Sequence, residues 1–595
     1  MLGVTVATSS RRGGGRFLIS SLVLLTLATT IACTTAVERD EKPSAQGFLE
    51  GFFTAWDDED YAAMSEHFDA ASRARWPATK LVALFDRALT SGAVAEFSVS
   101  FDLFTYTAIG ATPSADFDYS ITYVTPAARD DVVLSGTIDV AWSEAEERWT
   151  VVWDRGLMWP GIDRAHAFAI ATRYPKRATI LERTGRKIAI GAATSRSYPF
   201  GSAAGTTIGH LEPLTKQSIA DGPEGDLVGE PVGEPGDLVG ASGLEAAFED
   251  RLSGRPATEL QVVDRRGRVL ATVGRRTARP GRSVRTTLDM QIQQAATVAF
   301  GGTTGGAVVL DPRNGDILAA VSSSPFDPNN YVGVAGIDPF NRALSGLYPP
   351  GSSMKVVTAA AALETDAVTP QTRLSGPAEY KGVRNFESGE FGSLSFASAL
   401  QNSVNTAFAQ VAERLGPSRL TRFAELFGFN REPTMALGAA RSSFPFPEDE
   451  GDLLWSAIGQ AQTLATPLEM ASIAATIANG GRRMEPRIAL GVPPSGERVV
   501  STTTAETMTT LMESVVEGGT GVRAAISGIR VAGKTGTAEV DVGGERRNHA
   551  WFICFAPADD PRIAVAVVSE YGGVGGQVAA PLARAILASV LPLVR

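Results

Sequence analysis

The length of the chain is the strongest constraint on its fold. A single hydrophobic core stops growing at roughly 250–300 residues, and folded domains cluster near ~100–150 residues. A chain of 595 residues therefore has to divide, and we expect an N-terminal leader followed by folded units at residues 44–155, 159–282 and 283–595. The 44% hydrophobic and 20% charged fractions argue against wholesale disorder and a multi-spanning membrane protein. The net charge of −11 argues against a nucleic-acid partner.

The first 33 residues form a segment of their own. Three arginines within residues 11–16 precede an apolar run from Phe17 to Ala32, which has signal-peptide length and is short for a bilayer span of ~20 apolar residues. Cys33 follows this run directly, and a polar linker, residues 34–43, comes next. The segment resembles the lipobox of bacterial lipoproteins, which implies lipidation of Cys33. The alternative is an ordinary signal or anchor helix that ends in a chance cysteine.

The unit at residues 44–155 begins with a helical pattern and continues with alternating runs. Large apolar residues between Phe48 and Trp56 recur near a 3.6-residue period, which predicts an amphipathic helix. Runs that alternate apolar and polar residues predict antiparallel strands solvated on one face, at Phe97 to Phe104, Phe117 to Thr125, Val132 to Trp142 and Trp149 to Trp153. Helices followed by such a sheet predict a small α+β unit.

A low-complexity stretch at residues 211–240 interrupts the second unit. It repeats short glycine, proline and acidic groups, as in "GDLVGEPVGEPGDLVG". Such a composition cannot bury a face, so it predicts a flexible acidic loop.

The third unit mixes strand and helix patterns, which predicts one α/β domain. The stretch from Gly306 to Ser322 is typical of a hairpin, and Ile563 to Ser569 predicts a late strand. Helices are predicted at Ala359 to Ala362, at Phe396 to Leu415 and at Leu468 to Asn479.

This third unit also contains the groups that acyl transfer by a serine requires, namely a hydroxyl, a base and donors for an oxyanion. Ser352 lies where an apolar helix begins, and Lys355 follows three residues later, so the two side chains share one helical face. Ser403 and Asn405 form a Ser-x-Asn triplet on the predicted helix Phe396 to Leu415.

A third motif, Lys534-Thr535-Gly536-Thr537, follows an apolar run. A strand that must hydrogen-bond a substrate backbone cannot carry a side chain at the contact, which explains Gly536. Lysine usage supports the motifs, because only eight of the 54 basic residues are lysines. A general base must shed its proton, which arginine cannot do, so Lys355 has a chemical reason to be lysine.

Together these motifs resemble those of the penicillin-recognising serine transpeptidases and serine β-lactamases. The surrounding text is similar to class B, monofunctional penicillin-binding proteins over five stretches: "PPGSSMK", "ALQNSVNTAFAQVA", "SAIGQAQTLATPLEMA", "VAGKTGTAE" and "HAWFICFAPADDPRIAVAV". Ala461 departs from the family, which usually has glycine there. With its leader, the whole chain resembles an actinobacterial penicillin-binding lipoprotein.

This resemblance implies an α/β multidomain fold. Its C-terminal domain would be a serine β-lactamase-like transpeptidase domain. A pedestal, or dimerisation, domain would precede it at residues 159–282, and residues 44–155 would be a small cone-like domain similar to nuclear transport factors.

The resemblance also implies the role of each site residue. Ser352 would be the nucleophile, Lys355 its base and Ser403 a proton relay, with the backbone N–H groups of Ser352 and Thr537 as the oxyanion hole. The residues implied to bind the donor peptide are Asn405, Lys534, Thr535, Gly536 and Thr537. The implied partners are peptidoglycan stem peptides, β-lactams, the outer face of the cell membrane and other cell-wall synthesis proteins, and no cofactor is implied.

Several alternatives remain open at this point. A serine β-lactamase shares the motifs, and a β-lactam sensor or a catalytically silent scaffold could share the fold. A zinc peptidase fails, because the four histidines have no ligand spacing. Cys554 lies in an apolar run, which predicts a small buried hydrophobic residue rather than a disulfide partner.

Overall fold

The computed structural model describes residues 45–102, 107–108, 114–217, 235–323, 325–331 and 339–594. Cys33 and the predicted leader lie outside these residues. Within the described ranges, no helix is both long and apolar enough to cross a membrane.

Four helices begin the described chain: α1 (Ala45–Asp57), α2 (Tyr61–Glu66), α3 (Ala70–Arg75) and α4 (Ala78–Ser91). The predicted amphipathic helix is confirmed, because α1 buries Leu49, Phe52, Phe53 and Trp56. The rings of Phe52, Phe53 and Trp56 form the centre of an aromatic core against the sheet that follows.

The strands of this sheet are β1 (Glu96–Phe101), β2 (Thr107–Ala108), β3 (Ser114–Val124), β4 (Val132–Ser143) and β5 (Arg148–Val151). They form one antiparallel sheet in the order β1-β3-β4-β5, and β2 pairs with β3. All four predicted strands are present, although the first was predicted to run to Phe104, which lies outside the described residues.

The second unit consists mainly of short strands. Its elements are β6 (Ala167–Arg173), β7 (Ile180–Leu181), β8 (Lys187–Ala189), α5 (Gly205–Ile208), β9 (Leu211–Pro213), β10 (Leu238–Gly240), α6 (Gly243–Ala247), α7 (Glu249–Ser253), β11 (Ala257–Val263), β12 (Val269–Arg276) and β13 (Val284–Arg285). Two three-stranded sheets have the orders β12-β11-β6 and β13-β7-β8. Phe168 on β6 and Leu260 and Val262 on β11 are buried in the same cluster as Trp56 of α1. The first two units therefore share a core across the boundary predicted near residue 155.

The predicted acidic loop is wrong at both ends. Strands β9 and β10 pair antiparallel, with Leu211 opposite Gly240. Leu211 is buried, and a Cβ on Gly240 would lie 2.1 Å from the carbonyl oxygen of Glu245. Composition alone could not reveal these apolar and close backbone contacts. The middle of the stretch, residues 218–234, lies outside the described residues.

The third unit contains nine helices within the described ranges: α8 (Met290–Phe300), α9 (Arg342–Ser345), α10 (Lys355–Glu364), α11 (Phe396–Gln401), α12 (Asn405–Phe427), α13 (Glu450–Ser456), α14 (Pro467–Ala478), α15 (Thr502–Gly518) and α16 (Ala579–Val590). Its strands are β14 (Gly305–Asp311), β15 (Asp316–Ser322), β16 (Arg373–Gly376), β17 (Glu379–Tyr380), β18 (Val383–Arg384), β19 (Gly392–Ser395), β20 (Arg482–Met484), β21 (Gly496–Arg498), β22 (Ala532–Val542), β23 (Glu545–Ala556) and β24 (Ile563–Ser569).

Five of these strands form an antiparallel sheet in the order β15-β14-β24-β23-β22. Ile292 and Phe300 of α8 and Leu587 of α16 cover one face, and most of the other helices cover the opposite face. Because both faces are buried, β14, β15 and β24 are continuous apolar runs. The predicted hairpin and late strand are confirmed, and Cys554 is buried in β23 as predicted.

The helix predicted from Phe396 to Leu415 is wrong at its centre. Helix α11 ends at Gln401 and α12 begins at Asn405, and between them Ser403 has a φ of 58°. This left-handed residue breaks the helical path, and the side chain of Ser403 contacts two buried lysines instead of lying along a helix face. The predicted end at Leu415 coincides with a kink in α12 at Gly416.

Candidate active site

Ser352 lies in the turn that leads into α10. Residues Gly351–Met354 form a 3₁₀ turn, and α10 continues directly from Lys355. Ser352 and Lys355 are therefore one helical turn apart, as their spacing predicts. Gly351 has a φ of 53°, which favours glycine, and its N–H donates to the carbonyl oxygen of Gly459 at 2.9 Å.

Strand β22, at one edge of the sheet, passes directly beside this turn. A Cβ on Gly536 would lie 2.5 Å from Ser353 Oγ and 2.7 Å from the carbonyl oxygen of Pro350. The missing side chain thus lets the strand approach the turn closely. This packing requirement explains Gly536 more directly than substrate contact alone does. The indole Nε1 of Trp551, on β23, donates to the carbonyl oxygen of Pro349 at 2.9 Å and fixes the turn from the sheet side.

The side-chain amine of Lys355 is fully buried and lies within hydrogen-bonding distance of three oxygens. Nζ lies 2.6 Å from Asn405 Oδ1, 2.7 Å from the carbonyl oxygen of Ser403 and 3.3 Å from Ser403 Oγ. It also lies 5.3 Å from the centre of the Phe408 ring. These contacts hold the amine at one position beneath the floor of the site.

Ser403 joins the two lysines of the motifs. Its Oγ lies 2.9 Å from Lys534 Nζ and 3.3 Å from Lys355 Nζ. Lys534 is also fully buried, and its Nζ donates to the carbonyl oxygen of Thr535 at 3.0 Å. A hydroxyl between two amines can accept a proton from one and pass its own to a third atom, which is the geometry of a proton relay.

Burial changes the acidity of both amines. Desolvation, with a smaller contribution from the Lys534 charge, holds the pKa of Lys355 well below its ordinary value of 10.5. Desolvation also lowers the pKa of Lys534 to about 7. A neutral amine is therefore accessible near neutral pH, as a general base requires.

Asn405 links this cluster to the rim of the site. Its Oδ1 accepts from Lys355, and its Nδ2 donates to the carbonyl oxygen of Arg384 at 2.8 Å. The amide is therefore oriented by the protein before any ligand arrives.

The two threonines of the third motif are also held in place. Thr537 Oγ1 accepts from the backbone N–H of Gly575 at 3.1 Å, and Thr535 Oγ1 lies 2.7 Å from Thr520 Oγ1. The sequence prediction missed Thr520. Its signal is the glycine-rich stretch at residues 518–521, shortly before β22, which is typical of a tight turn.

A cleft of about 900 Å³ opens over these groups. Of the eight predicted site residues, the five that line it are Ser352, Ser403, Asn405, Thr535 and Thr537. The other three, Lys355, Lys534 and Gly536, are buried. All three motifs therefore meet at one site, although up to 185 residues separate them, from Ser352 to Thr537.

Comparison with known proteins identifies the family. Residues 305–588 match the penicillin-binding protein transpeptidase domain, and residues 172–286 match the penicillin-binding protein dimerisation domain. The peptidoglycan D,D-transpeptidase PbpA of Mycolicibacterium smegmatis is 38% identical over 361 residues, which cover 52% of this chain and 73% of that protein. The chain belongs to the class B penicillin-binding transpeptidases. Both the dimerisation domain and the transpeptidase domain match this family, and the unit at residues 44–155 lies before both matches.

Solved structures of penicillin-binding proteins also match the fold of this chain. Pseudomonas aeruginosa PBP2, solved in complex with WCK 5153, has 29% identity and a TM-score of 0.60, and the match covers 71% of this chain and 96% of that one. The ceftriaxone acyl-enzyme complex of penicillin-binding protein A from Mycobacterium tuberculosis has 30% identity and a TM-score of 0.57, with 70% and 98% covered. These structures are almost entirely matched, whereas about 30% of this chain has no counterpart in them.

Proposed function

We propose that this class B penicillin-binding protein is a peptidoglycan D,D-transpeptidase with Ser352 as its nucleophile. The observation that carries the proposal is the position of Ser403 Oγ within hydrogen-bonding distance of two buried lysines whose pKa values are lowered. This arrangement supplies a base and a relay beside a serine on a helix N-terminus.

In the first step, neutral Lys355 takes the proton of Ser352 as Oγ attacks the carbonyl carbon of the penultimate D-alanine of a stem peptide. The carbonyl oxygen becomes an oxyanion between the backbone N–H groups of Ser352 and Thr537, and one such donor contributes ~10²–10³ in rate. The C–N bond then breaks, and the nitrogen of the departing D-alanine receives the proton through Ser403. The product is an ester on Ser352.

In the second step, an amine of a neighbouring stem peptide attacks this ester. Its proton returns through the same relay, the C–O bond breaks and Ser352 is protonated again. The enzyme is restored, and one peptide cross-link has replaced one D-alanyl-D-alanine bond.

The remaining motif residues bind the donor peptide. Asn405 holds its amide, Lys534 keeps the pocket positive, and Thr535 and Thr537 receive the terminal carboxylate. The main chain at Gly536 lies against the donor backbone. A β-lactam carbonyl takes the place of the scissile carbonyl in the same site, as the acyl-enzyme of the M. tuberculosis protein illustrates for that relative.

The test is labelling of the full chain with a fluorescent penicillin, followed by gel electrophoresis. Ser352→Ala should lose all covalent label. Ser353→Ala is the matched control, because Ser353 Oγ is buried without a hydrogen-bond partner among the described residues. Equal labelling of the Ser352→Ala variant and the wild type would refute the assignment, and rapid turnover of penicillin would favour a β-lactamase.

A second part of the proposal concerns the leader and the first unit. Cys33 is lipidated and tethers the enzyme to the outer face of the cell membrane, and residues 44–155 form a cone-like domain similar to nuclear transport factors. The leader pattern and the order of helices before sheet support this. Mass spectrometry of membrane-extracted protein tests the tether, with Cys554→Ala as the control. An unprocessed N-terminus would instead indicate an anchor helix.

A further inference from the structure

A half-buried polar cluster lies behind the turn that carries Ser352. The hydroxyl of Tyr348 donates to Glu570 Oε1 at 2.6 Å, and Arg342 Nε donates to the same oxygen at 2.9 Å. The side chains of Arg342 and Glu570 are only 18% and 16% exposed. Hydrogen bonds to an ionised acceptor are short and strong, particularly away from water.

Tyr348 is also fixed through its backbone and its ring. Its N–H donates to the carbonyl oxygen of Ala465 at 3.0 Å, and its own carbonyl accepts from the Ala465 N–H at 2.9 Å. Its ring contacts those of Trp551 and His549 edge-on, at 6.1 and 5.3 Å between centres. Trp551 in turn donates to Pro349, so Tyr348 and Trp551 together set the course of the chain towards Ser352.

Two further features fit this role. A Cβ on Gly346 would lie 2.5 Å from the Tyr348 hydroxyl, so the missing side chain makes room for the phenol. Glu570 follows β24 directly, and its N–H donates to the carbonyl oxygen of Thr304 at 2.8 Å. The acceptor of the Tyr348 hydroxyl is therefore attached to the central sheet.

We infer that Tyr348 is a positioning residue for Ser352, with Glu570 holding its hydroxyl so that the turn presents Ser352 Oγ at the correct depth in the cleft. The inference rests on the proposed role of Ser352 as nucleophile. Only three residues separate Tyr348 from Ser352, and one of them, Gly351, is itself bonded to Gly459. The intervening chain is therefore too short to absorb a shift of Tyr348, so Ser352 would move with it. A misplacement of about 1 Å can cost about 10²-fold in rate.

The test separates binding from chemistry. Acylation of the detergent-solubilised full chain is followed at increasing concentrations of fluorescent penicillin, which gives a limiting rate constant and an apparent dissociation constant. Tyr348→Phe keeps the ring contacts and removes the hydroxyl. We expect its limiting rate to fall about tenfold or more while the dissociation constant stays within about twofold. Glu570→Gln retains an acceptor oxygen for Tyr348 but removes the charge, so it should lower the limiting rate less than Tyr348→Phe does.

Tyr119→Phe is the matched control, because the Tyr119 hydroxyl donates to the carbonyl oxygen of Leu157 at 2.6 Å in the first unit. It should leave both constants unchanged. Gly346→Ala crowds the Tyr348 hydroxyl from the other side and should also lower the limiting rate, which covers the case in which Tyr348→Phe does not melt cooperatively.

Rates within twofold of wild type for both Tyr348→Phe and Gly346→Ala would overturn the inference, provided that wild type acylates at Ser352. A loss of binding equal to the loss of rate would also overturn it, because that pattern indicates general structural damage. A wild type that Ser352→Ala does not impair would refute the proposed function instead, so the two failures are distinguishable.

Discussion

Replacement of Lys355 by arginine tests the central step of the mechanism. Arginine retains the positive charge and adds donors, but its pKa above ~12 means that it cannot supply a neutral base. In the wild type, burial and then the Lys534 charge lower the pKa of Lys355. If Lys355 served only as a fixed charge next to Ser403 and Asn405, arginine would substitute well. We expect that it does not.

The magnitude follows from the site. Loss of a general base removes ~10²–10⁴ in rate, which corresponds to about 3–5 kcal/mol in the barrier. The Lys355 amine is fully buried and bonded to Ser403 and Asn405 at 2.6–3.3 Å. A guanidinium there overfills the space, and overpacking costs about 1–3 kcal/mol of stability. Its permanent charge, which a lysine of lowered pKa can shed, adds a desolvation cost. The variant should therefore melt below the wild type, and the loss of acylation is measured at a temperature where the melt shows it to be folded.

The assay is the second-order acylation rate with a fluorescent penicillin, measured beside a thermal melt. Lys381→Arg is the matched control, because Lys381 is 45% exposed and pairs with Glu413 and Glu450 at 2.6 Å. It should acylate as the wild type does. The wild-type rate should also rise with pH through the lowered pKa of Lys355, since the neutral amine is the active form. A folded Lys355→Arg protein within about threefold of wild type, far inside the expected loss, would refute the base assignment.

Two further substitutions test the packing beside Ser352 and the protonation of a buried glutamate in α14. Gly536→Ala should reduce acylation at least tenfold, because its Cβ would lie 2.5 Å from Ser353 Oγ and ~1 Å of displacement is costly; Gly302→Ala, with nothing within 4 Å, is the control. Burial raises the pKa of Glu469 from 4.5 to about 7, so the folded state binds this proton more tightly and stability falls as pH rises from about 4.5 to about 7. Glu469→Gln should therefore raise the free energy of unfolding at pH 8 by at most about 3 kcal/mol, which is seen as a higher Tm, and should change it little at pH 5. Equal gains in Tm at both pH values would contradict this.

The sequence predicted the buried strands well because their environment leaves a direct mark on them. Strands β14, β15 and β24 are buried on both faces, and continuous apolar runs result. The one departure from the family noted in the sequence carried no prediction of strain, but the structure shows strain there. Ala461, where the family usually has glycine, has a φ of 56°, a left-handed conformation that costs a residue with a Cβ about 1–2 kcal/mol.

Tertiary contacts explain what the sequence could not predict. The sequence around Ser403 looks helical, since Ser-Val-Asn carries no glycine or proline. In the structure, the N–H groups of Ser403 and Val404 close the end of α11 on the carbonyl oxygens of Leu400 and Ala399, with Ser403 at a φ of 58°. Its side chain then contacts the two lysines, which no local pattern reveals. Similarly, Phe168 and Leu260 are ordinary strand residues in the sequence. They pack in the core of the first unit, although both lie more than 100 residues after α1. Local pattern holds no information about such partners.

The burial of two lysines links the chemistry of the site to the stability of the domain. An exposed lysine would remain protonated near pH 7, whereas the pKa of Lys534 is lowered to about 7 by desolvation. Between about pH 7 and 10.5 the folded protein therefore binds fewer protons than the unfolded chain, and its stability rises with pH across that window. Below it the charged amine is buried at its full cost. The same desolvation makes Lys355 a base, so any change that admits water to relieve this cost would also raise the pKa of Lys355 and weaken catalysis.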